Sequence, residues 1–456
     1  MVSGGPLPVD PGALIRSRPY RVLLLVAAVI GIVVSIASWC FLEVVHELQD
    51  EVYEDLPGRL GFDGAPWWWP LPWLALAGLV TAYSIERLPG RGGHEPAHGL
   101  QTGGAPTQPV ELPGVLLAAT ATLALGLVLG PEAPLIALGM GLGIVAMRTL
   151  RKDAPDQAVG LMAAAGSFAA VSTIFGSPVI GAVLIIEAAG LSGAMLPLVL
   201  LPGLLAAGIG SLVFIGLGSW TGFSTSAWQL SPFALPEYGG PGWGDFGWTI
   251  ALALATALGA FVVMEAARWS ARIVHARRFA LTVAAGLAVG VLAIVFAETT
   301  DGPANAVLFS GQDAFGDLFD SPVARSTLAL LLVLKAAAWA ISLGSFRGGP
   351  TFPAIFLGVV AGLLAGDLPG YSETPAIAAL VGASCVSVLR LPLSSVMIAL
   401  LLTVGAGLAV APLVIVAVVV AYLASLALTA YVDARIDPSP THDPAPSPGT
   451  REESPP

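Results

Sequence analysis

Long apolar runs, separated by short polar or Gly/Pro-rich stretches, dominate the chain. Runs at 21–42, 112–129, 196–217, 247–264, 279–297 and 326–345 are each close to the length a helix needs to span a bilayer. Shorter apolar segments at 176–190 and 391–404 are bounded by Pro or Gly, and fall below the roughly 20 residues of a full span. Two runs are broken internally. One holds Gly130-Pro131-Glu132-Ala133-Pro134 within ATLALGLVLGPEAPLIALGMGLG; the other holds Gly349-Pro350-Thr351-Phe352-Pro353 within SFRGGPTFPAIFLGVVAGLLAG. Proline lacks an N–H and clashes with the preceding turn, so neither run continues as one helix. Irregular backbone at membrane depth survives only when buried in protein or lining water. The pattern predicts an all-α polytopic membrane protein with short, broken, re-entrant helices.

The breaks are part of a longer internal correspondence. The second follows the first by 219 residues. Pro178 in FGSPVIGAVLIIE recurs as Pro392 in LRLPLSSVMIALL at an offset of 214, and Pro96 in GGHEPAHGL has a weaker echo, Pro303 in TDGPANAVL, at 207. Ordered matches at near-constant offset predict a repeat, with halves near 20–217 and 247–431 around a polar loop at 218–246. Matched, interrupted hydrophobic segments in two halves point to a transport site.

Composition sharpens this reading. The chain is 56% hydrophobic and 11% charged, with a mean hydropathy of +0.84, where a soluble domain carries about a quarter charged residues. The net charge of −11 comes with no basic, aromatic-interleaved stretch, so no nucleic-acid partner is expected. Cys40 and Cys385 lie in apolar segments and read as small core residues, with no disulfide or metal framework. His94 and His98 flank Pro96, which interrupts the helical spacing a metal pair needs, so neither metal nor cofactor is expected. No Ser/His/Asp set or HExxH-like motif lies in any span, and the chain does not read as an enzyme.

Arg16, Arg18 and Arg21 precede the first run, and Arg268, Arg272, Arg277 and Arg278 cluster between two later ones. The positive-inside rule places both groups, and so the segment 1–19, on the cytoplasmic side of a cell membrane. Between Lys152 and Arg268 there is no basic residue, which places the 218–246 loop outside. The first run is too long for a cleavable signal. A membrane domain is expected over 20–436, followed by a disordered Pro-rich tail at 437–456.

In order, the motifs resemble the CLC family of chloride channels and proton-coupled anion exchangers, over nearly the whole of 20–431. Within it they are similar to a divergent bacterial branch of ion-transport proteins that also reads G-P-E-x-P and F-R-G-G-x-x-F-P. The family's G-S-G-I-P falls on Gly92-Gly93-His94-Glu95-Pro96, its G-[KR]-E-G-P on Gly130 to Pro134, and its G-x-F-x-P on Gly349 to Pro353. The resemblance implies an inverted-repeat fold and a homodimer, with contacts near 178–216 and 391–430 and one pore per subunit. It places the anion at Gly93, His94 and Glu95, at Gly130, Pro131 and Ala133, at Gly349, Pro350, Thr351 and Phe352, and at a closing tyrosine, Tyr431. There are departures. Gly93 stands where the family has an anion-coordinating serine, Glu95 is an acid in a site meant for anions, and Thr351 stands where the family has phenylalanine. Ala188 follows Glu187 where proton-coupled members carry an inner glutamate.

The chemistry suits such a site. A helix that begins at mid-membrane turns free N–H groups and its positive dipole end toward the break. Helix ends near Pro96, Glu132 and Thr351 would hold an anion weakly enough for release. Glu132 would gate by occupying that site itself; the competing reading is a carboxylate that caps a helix. Glu187 reads either as a proton relay or as a packing carboxylate. Lys335 either raises the local positive potential or has a structural role, and Arg347 and Arg390 read as snorkelling side chains at helix ends. The expected function is anion transport through a Glu132-gated channel or uniporter. The alternatives are a proton-coupled exchanger, a cation or proton carrier built on Glu132, Glu187 and Glu95, and a regulatory relative without flux.

Overall fold

The computed structural model describes residues 11–436 other than 101–105, 194, 222–229, 301, 313, 321 and 367. Among them, fourteen α-helices are ten residues or longer. The first seven are α1 (Arg18–Asp50), α2 (Pro70–Arg87), α3 (Leu112–Ala124), α4 (Glu132–Leu150), α5 (Asp156–Ile174), α6 (Pro178–Ala188) and α7 (Met195–Thr221). The second seven are α8 (Trp243–Ala276), α9 (Arg278–Thr300), α10 (Arg325–Ser345), α11 (Thr351–Ala365), α12 (Glu373–Leu389), α13 (Pro392–Leu402) and α14 (Ala411–Ile436). Eight of these elements are long and apolar enough to cross a membrane. The protein is a multi-pass helical membrane protein.

Packing repeats along with order. Helix α4 packs on α5 as α11 packs on α12, α5 on α7 as α12 on α14, and α1 on α7 as α8 on α14, while α2 lies against α9 and joins the halves. Small residues permit the closest approaches, since van der Waals packing rather than hydrophobic burial drives helix association in lipid. At the α4–α5 crossing a Cβ on Gly139 would run into the Gly166 backbone. The buried centre holds Leu127, Leu129, Phe168, Phe352 and Phe356, whereas Leu25 and Leu212 point outward, each 70% exposed. An apolar exterior around a packed interior is what lipid contact demands.

Two sequence expectations need adjustment. The run 112–129 is not a span: α3 ends at Ala124, and Gly126 takes a φ of +104°, so the chain turns out of the helix before the first break. The first run extends beyond 42, because α1 continues to Asp50 and a π-turn follows. Beyond that turn Trp69 is buried and its indole N–H donates to the Val52 carbonyl at 2.9 Å, which ties the start of α2 to the end of α1. The short segments are helices α6 and α13, each opened by proline in the first turn, where no N–H is lost.

Part of the polar loop between the halves is described. Phe233 N–H donates to the Leu402 carbonyl at 2.7 Å and Leu230 N–H to Ile174 at 3.1 Å. It therefore closes over the ends of α5 and α13. The expected tail 437–456 lies outside the described residues.

Candidate functional site

The two sequence breaks meet. Gly130 N–H donates to the Gly349 carbonyl at 2.8 Å, and Gly349 N–H donates back to Gly130 at 2.6 Å. This antiparallel bridge joins the breaks directly. One residue on, Pro131 and Pro350 occupy the N-cap positions of α4 and α11. Both helices thus start beside the bridge, with first-turn N–H groups and positive dipole ends directed into the break.

Glu132 fills this junction. It is fully buried, and the backbone N–H of Thr351, the first residue of α11, donates to its Oε1. Its Oε2 and the Thr351 hydroxyl are buried without a hydrogen-bond partner among the described residues. A Cβ on Gly130 or on Gly349 would fall on the Glu132 carboxylate, so with the carboxylate in this position only glycine fits on either side of the bridge. Phe352 packs over Phe175 with ring centroids 5.9 Å apart. Glu132 caps a helix, as one sequence reading held, but the helix is α11 of the other half. The carboxylate thereby lies at the N-terminal end of α11.

Below the junction is a cavity of about 250 Å³, with Gly93, Val115, Ala133, Ala137, Arg347 and Gly348 among its walls. The turn on one side runs through left-handed φ at Gly90, Arg91, Gly92 and Gly93. A serine at 93 would carry that φ of +94° and set its Cβ 3.2 Å from Val115, so the backbone here favours glycine over the family's serine. No helix begins at Pro96. The segment Pro96–His98 is a single 3-10 turn ended by Gly99 at φ +77°, with His94 Nε2 hydrogen-bonded to the Gly99 carbonyl at 2.6 Å. Helix ends at α4 and α11 therefore face the junction, and the third expected end is replaced by a turn.

Arg347 does not snorkel. It is 4% exposed, and its Nη2 donates to Glu95 Oε1 at 3.1 Å. Glu95 also faces His275 at 3.4 Å and His98 at 3.8 Å. Burial alone pushes the Glu95 carboxyl up, but Arg347, His275 and His98 outweigh it and hold it below the ordinary carboxylate range. The acid that looked out of place in an anion site is thus paired with a buried cation from the other half. An arginine within an apolar segment beside a break is itself a signal of function, and it was available in the sequence.

The remaining candidates lie elsewhere. Glu187 accepts from Leu393 N–H at 2.9 Å, Ser394 N–H at 2.7 Å and Ser394 Oγ–H at 2.6 Å, so it caps α13 from α6. The Lys335 ammonium donates to the Ala306, Val307 and Leu308 carbonyls at 2.9, 3.2 and 2.8 Å and sits 4.5 Å over the Phe356 ring. Both therefore have structural partners. Tyr431 is 56% exposed on α14 and does not line the cavity. The buried stripe of that helix runs through Val414, Val418, Ala421 and Ser425, and continuing its spacing passes Tyr431 by.

A family model for the voltage gated chloride channel matches residues 73–426. The chain belongs to the CLC family. Its relatives include "Putative ion-transport protein YfeO" of Escherichia coli O1:K1 / APEC, 30% identical over 379 residues, which cover 81% of this chain and 84% of that protein. YfeO of Escherichia coli O139:H28 (strain E24377A / ETEC) is 29% identical over 377 residues, with the same coverage. Among solved structures, a slow cyanobacterial Cl-/H+ antiporter superposes with a TM-score of 0.72 at 19% identity, covering 91% of this chain and 98% of that one. A CLC-type fluoride/proton antiporter gives 0.68 at 18% identity, covering 89% and 95%. At these identities the likeness shows the fold alone. Members of the CLC family are channels and transporters of anions, not enzymes.

Proposed function

We propose that this CLC protein passes a chloride-like inorganic anion through the α4–α11 junction, and that Glu132 gates the path as a channel or uniporter. One observation carries the reading: a buried carboxylate occupies the helix-end position where an anion would bind, held by a backbone N–H rather than by an ion pair. Such a competitor leaves when it is protonated or when an anion displaces it. Weak, multi-site binding by helix ends then permits release.

Passive transport is favoured over proton exchange by two residues. Ala188 carries no proton, and Glu187 beside it is committed to capping α13. Exchange remains the second reading, because the solved neighbours named above are antiporters and Glu132 is itself titratable. A carboxylate cation carrier is disfavoured: Glu95 pairs with Arg347, Glu187 with α13 and Glu132 with α11, so the three acids serve different partners. We further place two copies side by side through α6, α7, α13 and α14, where Leu212 and Leu393 are exposed, with the N-terminus cytoplasmic.

The test is efflux of chloride from proteoliposomes with external pH recorded at the same time. Chloride release with no opposed proton movement is expected. Stoichiometric proton uptake would replace this reading with the exchanger, and absence of flux for chloride, nitrate and fluoride would remove the anion assignment.

A further inference from the structure

Between the end of α3 and the Gly130–Gly349 bridge the chain crosses the interior as irregular backbone, and each buried N–H there needs a partner. Leu127 N–H donates to the Thr122 carbonyl at 3.1 Å, Leu129 N–H to the Leu127 carbonyl at 3.0 Å and Gly130 N–H to Gly349 at 2.8 Å. Val128 N–H instead donates to a side chain of the other half, the Ser342 hydroxyl of α10, at 3.2 Å. Val128 and Ser342 are both fully buried. The carbonyls of the same stretch are held from elsewhere. Gln49 Nε2 donates to Leu123 and the Tyr53 hydroxyl to Leu125, each at 2.9 Å, and Phe309 N–H donates to Gly126 at 3.2 Å.

We propose that Ser342 is a positioning residue for Glu132: its hydroxyl hangs the first break on the helix that leads into the second, and so fixes the register in which Glu132 reaches the start of α11. In treating Glu132 as a gate, the inference rests on the transport reading above. The hydroxyl is committed in both directions. It donates to the Ala338 carbonyl one turn back at 2.8 Å, and its oxygen accepts from Val128. Helix α10 ends at Ser345, and Phe346 to Gly348 carry the chain directly to the bridge. The two breaks also touch along this stretch, since a Cβ on Gly348 would lie 2.7 Å from the Leu129 Cβ. One side chain of α10 thus ties the first break to the chain that forms the second.

Alanine at 342 would leave the Val128 N–H without its acceptor in a dry interior, where a missing partner costs more than the bond itself contributes. The first break then relaxes away from α10, and the contact between Thr351 N–H and Glu132 loses its register. Ser387 provides the comparison. It is a buried serine of α12 whose hydroxyl donates to the Ala383 carbonyl at 2.7 Å, four residues back, as Ser342 does to Ala338. It receives no N–H from either break among the described residues.

The experiment measures initial chloride efflux per folded protein from proteoliposomes at fixed pH, for Ser342→Ala and Ser387→Ala, each in the wild-type and in the Glu132→Ala background. Ser342→Ala should raise efflux about 3- to 10-fold where Glu132 is present. It should leave efflux unchanged where Glu132 is absent, because a residue that acts through another has no effect once that one is gone. Ser387→Ala should change neither. A change of the same size in both backgrounds, or none in either, overturns the proposal. Hydrogen–deuterium exchange of the segment 125–130 in the same proteins needs no flux. Ser342→Ala should speed exchange there about tenfold or more, and Ser387→Ala should not; unchanged exchange in Ser342→Ala overturns the positioning role. Ser342→Cys, whose sulfur accepts weakly, should fall between wild type and Ser342→Ala in both readouts, and it carries the test if the alanine variant does not fold. Absence of flux from every variant, Glu132→Ala included, would remove the transport reading alone, and exchange would then decide Ser342 by itself.

Discussion

If Glu132 gates as proposed, replacing Gly349 by alanine should open the path without touching Glu132 itself. The added Cβ would fall on the Glu132 carboxylate, so either the carboxylate leaves the junction or the Gly130–Gly349 bridge opens. The bridge consists of two backbone hydrogen bonds, at 2.8 and 2.6 Å, in a dry interior where both would be costly to lose. The carboxylate is held by one donor, the Thr351 N–H, and it is the part that can swing. A hydrogen bond to a charged group contributes about 1.5–3 kcal/mol. Its loss shifts the closed–open equilibrium of the gate about 10- to 150-fold toward open. Initial chloride efflux from proteoliposomes reports the shift. Gly349→Ala should lose the pH dependence of the wild type, match Glu132→Ala, and show no further change in the double variant, because two substitutions that act on one contact do not add. The reasoning is refuted if Gly349→Ala keeps a wild-type pH dependence that Glu132→Ala abolishes, since the carboxylate would then rest somewhere else.

Two further outcomes concern residues read here as structural. Glu187→Ala removes three hydrogen bonds from the start of α13 and should cost about 2–4 kcal/mol; a lowered unfolding midpoint with the proton-to-chloride ratio unchanged separates this from a proton relay. Lys335→Met leaves the carbonyls of Ala306, Val307 and Leu308 without the ammonium and should lower stability by about 3 kcal/mol or more. Its flux per folded protein should keep the wild-type anion order, and a changed order would give Lys335 a place in the pathway field.

The parts of this architecture that follow from local chain chemistry were legible in the sequence. Prolines on both sides of Glu132 and in the second break fixed where α4 and α11 begin, and the ordered prolines at 178 and 392 fixed α6 and α13. Contacts between the halves were not legible, because no local rule links residues so far apart. The Arg347–Glu95 pair spans 252 positions and the Glu187 cap of Ser394 spans 207. Each acid therefore looked unpaired, and Arg347 looked like a surface anchor. The missing helix at Pro96 has a local cause, the left-handed Gly99, that a resemblance to longer motifs concealed. Tyr431 lies off the buried stripe of α14, and its direction was not legible because one residue of phase on a helix turns a side chain by about 100°.

The most direct test of the gate compares wild type with Glu132→Ala in liposomes loaded with chloride, with chloride efflux and external pH followed together from pH 7.5 to 5.5. Efflux that rises on acidification in wild type, and that is high and pH-independent in Glu132→Ala with no opposed proton movement in either, is the predicted result. Efflux abolished by Glu132→Ala would contradict the account, because the carboxylate would then be needed for transport rather than standing in its way.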